Sequence, residues 1–86
     1  MTTRIFAGRY GSLAEIAEFV RMEAEEAGLS YQEVFEVETA VDEAVSNVIE
    51  HAYGGEGKGD ITIYCSALAD GIKIIVEDRG EPFDPT

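Results

Sequence analysis

The sequence predicts an α+β fold, a two-layer sandwich in which two helices cover one face of a mixed or antiparallel sheet. Three observations predict it. Two Ser-x-x-Glu capping boxes, Ser12/Glu15 and Ser30/Glu33, each open a stretch of helical apolar spacing. After Asp60 the apolar period changes to two, as in a half-buried strand. The resulting order of strand, helix, helix, strand, strand is satisfied when both helices pack on the apolar side of one sheet.

Thr3 to Phe6 predicts a short first strand, ended by Gly8 and Gly11. The first helix follows Ser12, with Leu13, Ile16, Ala17, Val20, Ala24 and Ala27 as its apolar stripe and Glu15, Glu18, Arg21 and Glu25 opposite. Gly28 stands where a left-handed residue ends a helix. Leu29 and Val34 then bracket the second capping box as a hydrophobic staple. The second helix carries Val34, Val37, Val41, Ala44, Val45, Val48 and Ala52 on its stripe and is expected to run to Gly54-Gly55. Ile61, Ile63, Cys65 and Ala67 alternate with polar residues, Asp70-Gly71 is expected to turn the chain, and Ile72, Ile74 and Val76 alternate again, which is a β-hairpin.

The 86 residues predict a single domain, 1–86, with a small core. The formal net charge of −12, with only six scattered Lys and Arg, argues against a nucleic-acid surface, which needs clustered cations. Neither a membrane-spanning run nor the apolar stretch of a signal peptide is present, so a cytoplasmic protein is expected. Cys65, the single cysteine, reads as a buried reduced thiol and supports no disulfide or metal cage.

Glu43, Asn47 and His51 recur at intervals of four on the second helix and form one row. The row is expected on the flank of the apolar stripe, with Asp42, Ser46 and Glu50 further out. A carboxylate, an amide oxygen and an imidazole so placed can serve as general base, hard-cation ligand and hydrogen-bonding partner around a polyphosphate. They also suit solvated helix residues and a histidine favoured by the helix C-terminus, and the helix alone favours that plainer reading. Asp78, after a β-branched strand, can read an amino group at the mouth of a cleft, while Asp78-Arg79-Gly80 also suits an ordinary turn. Gly54 to Gly59 lacks the order of a P-loop and reads as a connector.

Taken together, Glu43-x-x-x-Asn47-x-x-x-His51-Ala52-Tyr53, a hairpin, and Asp78-x-Gly80-x-Pro82-Phe83-Asp84-Pro85 resemble the anti-sigma-factor serine kinases of bacteria, within the GHKL or histidine-kinase-like ATPase superfamily. The likeness covers essentially the whole chain, and His-Ala-Tyr points to the anti-sigma branch. Pro82 stands where many GHKL proteins have a glycine, a position at which that branch accepts proline. The resemblance implies a Bergerat-type ATP-binding fold and two cofactors, ATP and Mg²⁺. Asn47 would hold the Mg²⁺ and Glu43 would be the catalytic base on a substrate serine. His51 would lie near the phosphates. Asp78 would accept from the adenine amine, Gly80 would let the backbone approach the base, and Phe83 with Ile49 would wall the pocket.

The implied partners are a sigma factor and a small anti-sigma-factor antagonist phosphorylated on serine, with a homodimer as the holding state. Family members continue with a lid and a second glycine-rich motif, and this sequence reaches Thr86 before them. A truncated domain with poor ATP affinity is therefore expected. Two other readings are a non-catalytic binding module of the same fold, and the ATP domain of a sensor histidine kinase or topoisomerase-like ATPase.

Overall fold

A computed structural model describes residues 1–52 and 59–78, and of residues 51 and 52 it describes the backbone. Strand β1 (Thr2–Ala7) leads through a 3-10 turn (Tyr10–Ser12) into helix α1 (Leu13–Glu26). Helix α2 (Tyr31–Asn47) follows and continues as one π turn (Val48–Ala52). Strands β2 (Asp60–Leu68) and β3 (Gly71–Asp78) complete an antiparallel sheet in the order β1-β2-β3. This is the α+β arrangement expected from the sequence.

The two helices are joined by a short, fully hydrogen-bonded link, residues 27–30. Gly28, at φ 87°, allows its own N–H to reach the Glu25 carbonyl (3.0 Å) and the Leu29 N–H to reach that of Ala24 (3.2 Å). This pair of bonds is a Schellman motif, which satisfies carbonyls left over at a helix end. Ser30 begins α2 one residue later. Its hydroxyl accepts from the Glu33 N–H (3.2 Å), and the Glu33 carboxylate accepts from the Ser30 N–H (2.8 Å). The first expected capping box does not form. Ser12 makes no side-chain cap bond, because the chain enters α1 through the 3-10 turn with Ser12 already in helical backbone (φ −82°, ψ −13°) and buried.

The core is the layer between helices and sheet. Phe6, Ile61, Ile63 and Cys65 face Ile16, Phe19, Val20, Val41, Val45 and Ile49. Ile72, Ile74 and Val76 are half-buried at its margin. Phe19 was absent from the expected stripe, yet it meets Phe6 at 5.9 Å in a tilted pair. The Arg4 guanidinium caps this pair, 4.8 Å from the Phe6 centroid and 5.4 Å from that of Phe19. Such a cation over aromatic faces is favourable where it is partly desolvated.

Two boundaries differ from expectation. The hairpin pairs Leu68 with Gly71, so its two-residue loop is Ala69-Asp70 and Gly71 already belongs to β3. Neither loop residue has positive φ, so the turn does not use the glycine that the sequence suggested. The helical winding changes after Asn47, where hydrogen bonding of the i to i+5 type replaces that of the α-helix. The expected helix end at Gly54-Gly55 and all of the Gly54 to Gly59 connector except Gly59 fall outside the described residues, and the Gly59 carbonyl accepts from the Gly8 N–H (2.8 Å).

On the opposite face of the sheet, Thr62 lies between Ile5 and Glu77 in register and is 1 % exposed. Its Oγ1 has no hydrogen-bond partner among the described residues. A buried hydroxyl without a partner costs free energy that an isosteric methyl does not. Thr62→Val is therefore expected to raise unfolding free energy by about 1 kcal/mol in urea titrations.

The capping box carries a pH signature. Its bonds to the Ser30 backbone and then the Ser30 hydroxyl hold the Glu33 carboxyl below the usual glutamate range. A folded pKa lowered in this way contributes stability above the unfolded pKa, and the contribution is lost as pH falls through the folded value. Glu33→Ala should therefore lower the urea midpoint at pH 7, and the gap from the unaltered chain should shrink below about pH 4.

Candidate functional site

Helix α2 ends near the same end of the sandwich as β3. Ile61, at the start of β2, pairs with Asp78, the last residue of β3. Ile49, just beyond the end of α2, is buried in one core cluster with Ile61. The C-terminal ends of α2 and of β3 therefore lie at the same end of the sandwich. Asp78 also continues the helix-facing series Ile72, Ile74 and Val76, since alternate strand residues share a face.

Of the residues singled out in the sequence, Glu43 and Asn47 lie on one side of α2 and both are exposed. The expectation that they border the core, with Ser46 further out, is corrected: Ser46 is half-buried. The buried set Val34, Val41 and Val45 fixes the core direction more narrowly than the whole apolar stripe. At about 100° per residue, Ser46 stands about 100° from Val45, whereas Glu43 and Asn47 stand about 160° away on the open side.

The backbone of His51 belongs to the π turn, so its angular position relative to Asn47 is not that of an uninterrupted α-helix. Its side chain, and Gly80 and Phe83, fall outside the described residues. Ile49 is fully buried and faces the core. Nothing in the four-residue spacing of the polar row announced the π turn.

An open apolar groove of about 280 Å³ runs between α2 and β3, lined by Val37, Ala40, Val41 and Ala44 on one side and by Ile72, Ile74 and Val76 on the other. Asp78 follows the β3 side of this lining in sequence. Across the helix end, the Tyr10 hydroxyl donates to Glu50 Oε1 (3.1 Å) and ties the 3-10 turn after β1 to the π turn. No local sequence pattern announces this bond, whose partners are 40 residues apart.

Among the described residues no group of three or more His, Cys, Asp or Glu is placed to hold a metal ion. None of the described helices is long and apolar enough to cross a membrane. Cys65 is no candidate nucleophile. Burial, with the nearby Glu23 carboxylate as a smaller cause, pushes its thiol up to about 11.

The sandwich carries an acid and an amide on its second helix and an aspartate at the end of its third strand, and the model of one protein family matches most of its length. The model of that family, the histidine kinase-like ATPase domain, matches residues 6–86, and the chain belongs to it. Within the family the chain is similar to serine-protein kinases RsbW. It is 34% identical to the one from Bacillus velezensis over 61 residues, which cover 71% of this chain and 38% of the relative. The Oceanobacillus iheyensis protein is 39% identical over 61 residues, covering 71% and 39%. A Staphylococcus aureus protein is 42% identical over 59 residues, covering 67% and 37%. The chain thus spans about two fifths of the length of the curated relatives it matches.

Because the thiolate is the reactive form, Cys65 should be alkylated by iodoacetamide at pH 8 at least ~100-fold more slowly in the native chain than in concentrated urea. A native rate close to the unfolded one would place the thiol outside the core.

Proposed function

We propose that this sequence is the nucleotide-binding part of an ATP-dependent protein serine kinase that acts as an anti-sigma regulatory factor. The observation that carries the reading is the exposed pair Glu43 and Asn47 on α2, whose C-terminal end lies at the same end of the sandwich as Asp78. The family match and the names of the relatives support it.

In this reading Asp78 accepts a hydrogen bond from the adenine amine, and Gly80 and Phe83 complete the base pocket. The apolar groove along β3 supports the placement, since a base needs an apolar surface close to its polar reader. Ile49 backs the pocket from the core, and His51 lies toward the phosphates.

A Mg²⁺ ion, when bound, neutralises charge on the transferring phosphate. Asn47 would hold it through its amide oxygen. A single hard-oxygen ligand fits a cation that keeps several waters and takes the rest of its shell from phosphates. Glu43 takes the proton of the substrate serine hydroxyl as that oxygen forms a bond to the γ-phosphorus. The bond from the γ-phosphorus to the bridging oxygen breaks, and ADP leaves with the electron pair.

The protein substrate is a small anti-sigma-factor antagonist, and the second partner is a sigma factor held by a homodimer of the kinase. The acidic charge of −12 suits basic patches on such partners. A non-catalytic binding module of the same fold is the second reading.

Nuclear magnetic resonance titration with Mg-ATP, which detects weak binding, tests the proposal. Backbone signals at residues 47 and 78 should shift, and Asn47→Ala should raise the dissociation constant about tenfold or more, ~1.4 kcal/mol. Equal Mg-ATP affinity in both chains would remove the nucleotide reading.

A further inference from the structure

At the opposite end of α2 from Asn47 the surface has a different character. Tyr31, the first residue of α2, is 92% exposed, and Phe35, one turn on, is 64% exposed. Large aromatic side chains left in water one above the other are costly unless a partner covers them. They border a groove of about 310 Å³ between α1 and α2, floored by Leu29 and Val34. Its rim carries Glu25 and Glu38, with Arg21 as its one cation.

The charge around this groove selects its occupant. Helix α1 bears five glutamates against Arg21, and α2 bears Glu33, Glu36, Glu38, Asp42 and Glu43 with no basic residue. A second copy of the chain would bring the same acidic rim against itself, and nucleic acid or an anionic membrane would be repelled. A helix that is apolar on one side and cationic on its flanks satisfies both the aromatic pair and the carboxylates, in the helix-in-groove manner.

We infer that the α1–α2 groove at Tyr31 and Phe35 is a docking surface for a cationic amphipathic helix of a partner protein. Tyr31 and Phe35 supply the apolar anchor contacts, and Glu25 and Glu38 engage the partner's Lys or Arg side chains. At 1.5 Å per residue, Tyr31 and Asn47 lie roughly 24 Å apart along α2. The surface is therefore separate from the proposed nucleotide site, and the inference stands independently of it.

The test uses the full chain and a synthetic amphipathic helix with Leu at i, i+3, i+4 and i+7 and lysines on both flanks, followed by fluorescence anisotropy. Binding is expected, weakening severalfold as salt rises from roughly 20 to 300 mM. The double variant Tyr31→Ser/Phe35→Ser should weaken it about tenfold or more. Both residues are exposed, so that variant should keep the thermal midpoint of the unaltered chain, and Glu25→Lys/Glu38→Lys should weaken binding as well. The inference is overturned if no binding occurs, if a scrambled peptide of the same composition binds as tightly, or if the serine variant binds unchanged. It is equally overturned if sedimentation finds a dimer that the serine variant converts to monomer, since a second copy would then be the occupant.

Discussion

Strand β2 is buried on its helix-facing side because every other element contributes to one layer over it. Ile61, Ile63 and Cys65 are covered by Phe6 from β1, Ile16 and Val20 from α1, and Val45 and Ile49 from α2 and the turn beyond it. Neither helix alone provides enough apolar surface, and a three-stranded sheet without them would expose that whole face. The burial of this row thus fixes the pitch of α2, and with it which of its residues face away. Glu43 and Asn47 are exposed because Val41 and Val45 are committed to β2. The polar row is held by the core beneath it, so changes at Val45 or Ile61 would disturb the site without touching it.

Much of this fold is legible in the residues because its signals are local. Ser30 and Glu33 sit three apart and form the bonds that spacing predicts, and Gly28 adopts the left-handed backbone expected of it. Ile61, Ile63 and Cys65 alternate and are buried. The misses have tertiary causes. Ser12 matches a cap in sequence, but β1 delivers the chain at an angle that places the serine inside a 3-10 turn. Phe19 reads as off-stripe until Phe6 and Arg4 arrive from the strand to meet it.

The candidate site is legible in another way. Glu43, Asn47 and Asp78 gain meaning from their joint occurrence, and the elements that carry them end on the same side of the fold. Residue spacing could not supply the facing of the row, because counting Val37, Ala44 and Val48 with the buried valines widens the stripe and shifts its centre. Nor could it supply the Tyr10 to Glu50 bond, whose partners belong to different elements.

The linkage between α1 and α2 has a mechanical consequence. Gly28 and Ser30 satisfy the ends of both helices within a few residues, so little free backbone remains to act as a hinge. The two helices should tilt together across the sheet as a single lever. A load applied at the Tyr31 end would then be felt at the Asn47 end as a rotation of the whole helical layer, with the row of core side chains over β2 as its fulcrum.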